Sequence, residues 1–278
     1  MTTHLAGVIG WPVGHSRSPM LHGHWLARHG IDGAYIAMPV RPEHLEQALR
    51  ALPVLGFAGC NVTVPHKEAT FHLVDHVDRS AARLGAVNTI VVRPDGTLEG
   101  RNTDGEGFLN HLHASAPAWV PTDRPAMVLG AGGAARAVVG MLADIGVPEI
   151  RVANRTDERA ESLIREFGRP LVSCPWSHRR EGLAGCNLVV NTTQLGMNGY
   201  PALDLPLDLL PPDAVVYDIV YSPLETALLA EARRRGLVAV DGLGMLLHQA
   251  RAGFAAWFGI EPTVDEALRA AVLGSTPP

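Results

Sequence analysis

Short apolar runs alternate with amphipathic stretches through the first hundred residues. Leu5–Trp11 (LAGVIGW) is a continuous apolar run of strand length. SPMLHGHWLARHG follows with helical spacing, with Ser18 as N-cap, Pro19 in the first turn and Gly30 as its stop. GAYIAMPV reads as a strand, PEHLEQALRAL as a helix and GFAGCNVTV as a strand. This βαβαβ order predicts a mainly parallel sheet covered by helices. AVNTIVVRPDGTLEGRNTD departs from the rhythm, because two short runs flank Asp95-Gly96, a hairpin signal.

Proline and polar residues in SAPAWVPTDRP then interrupt the pattern. A second alternation begins at AMVLGAGGAARAVVGMLADIG and continues through EIRVANR, CNLVVNTT and AVVYDIV, which predicts a second α/β domain. The closing segments GLGMLLHQARAGFAAWFG and VDEALRAAVL are helical with no strand after them, and are expected to pack back on the first domain. The expected division is residues 1–104 plus 242–278 as one domain and 105–241 as the other. No internal repeat or low-complexity tract occurs.

Composition narrows the possibilities. The 278 residues are 47% hydrophobic and 18% charged, an ordinary globular balance. A net charge of −5 offers no basic field for nucleic acid, so positive charge for an anionic ligand has to be local. The 3 cysteines, Cys60, Cys174 and Cys186, form no Cys-x-x-Cys and suit a reducing cytoplasm. No secretory leader and no membrane span are expected, since no run of 18 apolar residues occurs. The 13 histidines invite a metal reading. His22 and His24, two apart on a helical pattern, point to different faces, and no triad has zinc spacing, so no metal is expected. Trp11 and the aromatics of FAAWFG read as core.

VLGAGGAARAVV carries chemistry. It follows a strand and opens a helix, so Gly130, Gly132 and Gly133 give a tight turn and let a pyrophosphate approach the helix N-terminus. Ala135 stands where the third glycine of that fingerprint usually is. The next strand ends in RVANRTDER. An NAD site has an acidic residue near this point to hold the ribose 2′-hydroxyl. Here stand Asn154, Arg155, Thr156 and, a turn later, Arg159, which would welcome a 2′-phosphate and favour NADP. Asp157 and Glu158 keep open the plainer reading of a solvated helix start.

NVTVPHK is the other unusual segment. The β-branched run Val62–Val64 stops at Pro65, and His66 and Lys67 follow at once. On spacing alone Lys67 is either a proton-handling group or an exposed lysine in a surface ion pair. Ser16 and Ser18 are two hydroxyls in a loop ahead of a helix, able to hold an oxyanion; the plainer role for Ser18 is the N-cap.

The segments GVIGWPVGHSRSPMLH, NVTVPHK, GAVNT, NTDGEGF, GAGGAAR, NRTDER, YDIVY and GLGMLLHQA occur in this order. Together they resemble the shikimate dehydrogenase family over nearly the whole chain. The resemblance implies an N-terminal substrate domain and a Rossmann-type NADP domain with a cleft between them. It implies NADP-dependent reduction of 3-dehydroshikimate to shikimate in aromatic amino-acid biosynthesis; a monomer and a homodimer are both physically reasonable. Lys67 and Asp104 would be the catalytic pair, with which of them is the formal base left open. Ser16 and Ser18 would hold the substrate carboxylate, Thr63 and Asn88 would surround the reacting hydroxyl, Gln249 would reach the ring hydroxyls and Tyr221 would close the pocket. His15 and His66 would sit beside it. Gly130, Ala131, Gly132, Gly133, Ala134, Asn154, Arg155, Thr156, Arg159, Ile219 and Gly242 would contact the cofactor. Two departures lie on the nicotinamide side: Ser222-Pro223, where Asn-Pro is common, and Gln194, where a small residue is usual. The competing readings are a quinate/shikimate dehydrogenase using NAD and a non-catalytic NADP-binding sensor, for which an intact Lys67 and Asp104 would be unnecessary.

Overall fold

Each alternation folds into its own six-stranded sheet. The computed structural model describes residues 4–121 and 124–274. The chain start through Thr3, Thr122 and Asp123 of the proline-rich break, and the last four residues lie outside the described residues. The chain divides into Met1–Gly107 with Leu246–Pro278 and Phe108–Met245. The divisions fall inside two helices, a few residues beyond the expected boundaries at 104 and 242.

The first unit runs β1 (His4–Gly10), α1 (Ser18–His29), β2 (Gly33–Pro39), α2 (Leu45–Val54), β3 (Phe57–Val62), α3 (Lys67–Phe71), β4 (His76–Val77), α4 (Arg79–Leu84), β5 (Thr89–Val92), β6 (Leu98–Arg101) and the start of α5 (Asp104–Ser115). The strand order is β2-β1-β3-β5-β6-β4. β1 pairs in parallel with β2 and β3, as the βαβαβ pattern predicts. The β5–β6 hairpin is antiparallel and joins β3 antiparallel, making this a mixed sheet. Its turn is held by Asp95, whose carboxylate accepts from the Thr97 amide at 3.0 Å, and by Gly96 at φ +83°.

Two sequence expectations need correction here. The strand in GFAGCNVTV ends at Val62, and Val64 is 70% exposed, because Thr63 spends its amide on the Ile9 carbonyl at 2.9 Å and the chain then turns. Ser18 is not the N-cap of α1. That position is Arg17, and the oxygen that accepts the Ser18 amide is Ser16 Oγ, at 3.3 Å. Gly30 does stop the helix, in the left-handed conformation at φ 61°.

The second unit contains β7 (Ala126–Leu129), α6 (Gly133–Asp144), β8 (Ile150–Ala153), α7 (Asp157–Phe167), β9 (Leu171–Ser173), β10 (Leu188–Asn191), β11 (Val215–Asp218), α8 (Ala227–Arg234) and β12 (Val238–Val240). All pairings are parallel and the order is β12-β11-β10-β7-β8-β9. Renumbered within the unit this is 3-2-1-4-5-6, the dinucleotide-binding order, with its switch point between β7 and β10. Successive residues of β7 feed opposite cores: Ala126 and Val128 join one, Met127 and Leu129 the other. A strand buried on both faces has to be apolar throughout, which is why these strands read as unbroken runs.

The chain closes with α9 (Leu243–Phe258) and α10 (Glu266–Gly274). Within the first unit, the Trp257 indole donates to the Ile90 carbonyl at 2.9 Å, the Arg17 guanidinium to the Val272 carbonyl at 3.0 Å and the Trp25 indole to the Thr263 carbonyl at 3.0 Å. Phe254 and Trp257 are core, as expected. Trp11 is not: it is 40% exposed, with the Arg41 guanidinium 5.1 Å above its ring. Among the described residues no helix is long and apolar enough to cross a membrane.

Candidate active site

Lys67 opens α3 and Asp104 opens α5. The Lys67 ammonium donates to Asp104 Oδ2, with the two side chains only 23% and 11% exposed. A cation at a helix start is disfavoured by the helix dipole, whereas a carboxylate there is favoured. Asp104 therefore sits comfortably, and Lys67 is held by its partner. This is not the exposed surface pair that spacing alone left open.

The other Asp104 oxygen, Oδ1, accepts from Asn88 Nδ2 at 2.8 Å. The backbone amide of Asp104 donates to Asn102 Oδ1 at 3.1 Å, and Asn102 Nδ2 in turn donates to the Ala86 carbonyl at 2.9 Å. Asn88 is itself fixed, since the Thr103 amide donates to its Oδ1 at 2.9 Å. Gln249 reaches the same cluster from α9, with Oε1 at 3.4 Å from both Asn88 Nδ2 and Thr103 Oγ1. A Cβ on Gly107 would lie 2.5 Å from Gln249 Cβ and 2.7 Å from its backbone nitrogen, so glycine there lets the two helices approach. The structure thus gathers Lys67, Asn88, Asp104 and Gln249 around one point, with Asn102 and Thr103 as members that the sequence reading missed.

Ser16 is half-buried and Ser18 buried, at the entry to α1. Because Ser16 Oγ accepts the Ser18 amide, its own hydrogen is free to donate. Thr63 is half-buried, directly after β3. His66 is a structural tie, buried with Nε2 2.7 Å from the Val40 carbonyl.

In the second unit, β7 is followed by Gly130, at φ +110°, where a Cβ would meet Thr192 Oγ1 at 2.5 Å. Gly132 is the N-cap of α6 and has no side-chain cap. Among the described residues, nothing beyond the adjoining backbone lies within 4 Å of where a Cβ on Gly132 or Gly133 would stand. Unfilled amides at a helix start beside open space suit a pyrophosphate, so the residues present fit a dinucleotide. Ala131 and Ala134 flank this turn, half-buried. Asn154 follows β8 and donates from Nδ2 to the Thr156 carbonyl at 2.7 Å, which fixes the turn that exposes Arg155, Thr156 and Arg159.

Ile219 and Gly242 meet directly: a Cβ on Gly242 would overlap the Ile219 carbonyl oxygen at 2.0 Å. The loop after β11, carrying Ile219 and Tyr221, hangs on Asp218. That buried carboxylate accepts from the Val220 amide at 3.0 Å, Thr226 Oγ1 at 2.7 Å and Asn191 Nδ2 at 2.9 Å. Burial pushes its pKa up to about 6, against the hydrogen bonds that lower it. At the two departures, the Asn198 side chain donates to Ser222 Oγ at 3.1 Å, and Gln194 is exposed. Among the described residues no group of three or more His, Cys, Asp or Glu is placed to hold a metal ion.

A Rossmann sheet with an open glycine turn, in a chain that also carries a sheltered lysine–aspartate pair, has the parts of a pyridine-nucleotide oxidoreductase. Family models match in three blocks: "Shikimate dehydrogenase substrate binding domain" over residues 8–90, "Shikimate / quinate 5-dehydrogenase" over 118–196 and "Shikimate 5'-dehydrogenase C-terminal domain" over 242–272. Shikimate dehydrogenase (NADP(+)) of Paramagnetospirillum magneticum is 63% identical over 97% of this chain and 98% of its own length. The shikimate 5-dehydrogenase of Thermus thermophilus, solved with NADP(H) and shikimate, is 39% identical with a TM-score of 0.86, over 98% of this chain and 99% of that one. The quinate dehydrogenase of Corynebacterium glutamicum, solved with NAD, is 33% identical with a TM-score of 0.90, again over 98% and 99%. The chain belongs to the shikimate dehydrogenase family.

Proposed function

We propose that this chain interconverts 3-dehydroshikimate and shikimate with NADP(H), as a cytoplasmic enzyme of aromatic amino-acid biosynthesis. The observation that carries the reading is the sheltered Lys67–Asp104 pair held by Asn88, in a chain that is 63% identical to a relative named for this reaction. Bound NADP(H) supplies or accepts the hydride. The chain's own residues deal with the proton and the geometry. Lys67 and Asp104 exchange the proton of the reacting hydroxyl, Asn88 and Thr63 orient that oxygen, and Gln249 holds the neighbouring ring hydroxyls. Ser16 and Ser18 donate to the carboxylate, and Tyr221 covers the ring. The Gly130–Ala134 turn takes the pyrophosphate, Asn154, Arg155, Thr156 and Arg159 take the 2′-phosphate, and Ile219 and Gly242 line the nicotinamide side. Three buried free cysteines suit the cytoplasm.

Initial rates with shikimate and with quinate, each with NADP and with NAD, test the proposal. Shikimate with NADP is expected to be the fastest pair. Quinate with NAD ahead of it would replace this reading with the quinate one, and no turnover with any pair would favour a sensor.

The 2′-phosphate assignment has its own test. Arg155 is exposed, directly before Thr156, and no acidic residue stands at the end of β8. Arg155→Ala is expected to weaken NADP by about 10- to 150-fold, since a hydrogen bond to a charged group contributes about 1.5–3 kcal/mol. NAD binding should hardly change. Equal losses for both cofactors would show that Arg155 does not read the phosphate.

A further inference from the structure

Behind the Lys67–Asp104 pair lies a set of buried polar side chains that the proposed chemistry does not use: Tyr35 on β2, Asn61 on β3 and Thr89 on β5. Tyr35, Asn61 and Thr89 are at most 6% exposed. Asn61 and Thr89 are direct cross-strand partners in the β3–β5 register. Tyr35 is in register with Ala6 of β1, whose small side chain leaves room for the phenol to reach across to β3.

The direction of every hydrogen bond among them is fixed by groups that can act in only one sense. Asn61 Nδ2 lies 3.2 Å from the Asn88 carbonyl, which only accepts, so the Asn61 oxygen must face Tyr35. Tyr35 Oη therefore donates to Asn61 Oδ1, at 2.6 Å. Asn61 Nδ2 also donates to Thr89 Oγ1 at 3.1 Å, which leaves the Thr89 hydrogen free to go to Asn88 Oδ1 at 2.9 Å. The Asn88 amide cannot be turned round, because the Thr103 backbone N–H, which only donates, already points at Oδ1. Asn88 Nδ2 must then face Asp104, and does so at 2.8 Å.

We infer that Tyr35, Asn61 and Thr89 are positioning residues for the proposed reaction, forming a one-way hydrogen-bond chain that runs from the Tyr35 phenol through Asn61, Thr89 and Asn88 to the Asp104 carboxylate. The inference rests on the reading of Lys67 and Asp104 given above. Each donor in such a chain polarises the next, and in a buried site that strengthens the last bond. The chain holds Asp104 Oδ1 so that Oδ2 stays turned to Lys67. Its far end is held as well: the His22 ring stacks flat on Tyr35, with centroids 3.9 Å apart and planes 6° from parallel. Tyr35, Asn61 and Thr89 thus act on the reacting end of the site from behind Asn88, with no contact to substrate or cofactor assigned to any of the three.

The test uses Thr89→Val, which keeps the shape and removes the hydroxyl, Thr89→Ser, which restores it, and Tyr35→Phe, which keeps the stacked ring. With shikimate and NADP, Thr89→Val is expected to lower kcat by about 3- to 10-fold, the equivalent of one buried hydrogen bond. KM for NADP should be unchanged and KM for shikimate should move less than kcat. Thr89→Ser should recover most of the lost turnover, and a loss of packing alone would not be recovered in this way. Tyr35→Phe should act in the same direction, and the double variant Tyr35→Phe/Thr89→Val should be no slower than Thr89→Val, since a chain already broken near Asp104 does not transmit a break further back. Tyr35→Phe alone carries the test should Thr89→Val fail to fold. Normal kcat in Thr89→Val and Tyr35→Phe, or a serine variant as slow as the valine one, overturns the inference while wild-type turnover leaves the proposed function standing. No turnover by the wild-type chain with any substrate and cofactor pair overturns the proposed function and this inference together.

Discussion

Replacing Lys67 by alanine is expected to lower kcat by about 10²- to 10⁴-fold, the usual contribution of a general acid–base group. Shikimate and NADP should still bind. The residues assigned to the ground state, Ser16, Ser18, Asn88 and Gln249, do not depend on Lys67 for their positions. Asn88 is fixed by the Thr103 amide, and Gln249 donates from Nε2 to the Leu246 carbonyl of its own helix at 3.2 Å. An interaction made only when the proton moves affects kcat rather than binding. Asp104→Asn should also be slow, since an amide keeps the shape and loses the charge that holds the ammonium. The two residues touch, so their effects should not multiply: the double variant should be little slower than the slower single one. Thermal melts belong beside the kinetics, because removing one partner of a sheltered pair leaves the other charge uncompensated. Near-normal kcat for Lys67→Ala with both ligands saturating would make Lys67 a spectator.

How far the sequence carries can be judged residue by residue. The core strands were legible because a parallel strand covered on both faces has to be apolar throughout, as β7, β10 and β11 are. β4, β9 and β12 were not, since at two or three residues each they are too short to show a period. Trp11 reads as core by composition, and only the tertiary fold reveals that it stands at the surface under Arg41. The members of the site that occur within motifs were found from those motifs. Their supports were missed for a different reason. Asn61, sitting inside NVTVPHK, looks like any polar residue at a strand end. What makes it matter is the register that sets it against Thr89, and a lateral reach to Tyr35, 26 residues earlier. Gly107 is similar, because its close approach to Gln249 is a contact between distant helices. The available signal was a negative one: in a strand otherwise built from apolar residues, an asparagine beside a core cysteine needs a partner.

His22 should make the protein acid-sensitive, by about 2–3 kcal/mol between pH 7.5 and pH 4.5. Its ring is fully buried among Trp25, Tyr35, Phe254 and Trp257, and among the described residues neither ring nitrogen has a partner. Burial lowers its pKa from 6.5 to about 3. None of these four neighbours is charged in this range, so none can stabilise the imidazolium as a counter-ion. A cation–π contact with Tyr35 would return about 2 kcal/mol, less than the several kcal/mol needed to bury an unpaired charge. The sign follows from which state binds the proton. Above pH 6.5 His22 is neutral in both the folded and the unfolded chain and has no effect. Between pH 6.5 and 3 the unfolded chain holds a proton that the folded chain refuses, so stability falls as pH falls, by about 1.36 kcal/mol per unit. Urea unfolding at pH 7.5 and 4.5 measures this in the wild-type chain and in His22→Phe, with His22→Leu as a second variant should phenylalanine overpack the cluster. The carboxylates and the other histidines are common to all three proteins, so the difference between the losses isolates His22. The variants should lose about 2–3 kcal/mol less than wild type over this interval. Equal losses would mean that the folded protein accepts the proton on His22 at no cost, and that the aromatic cluster around it opens or rearranges on mild acidification.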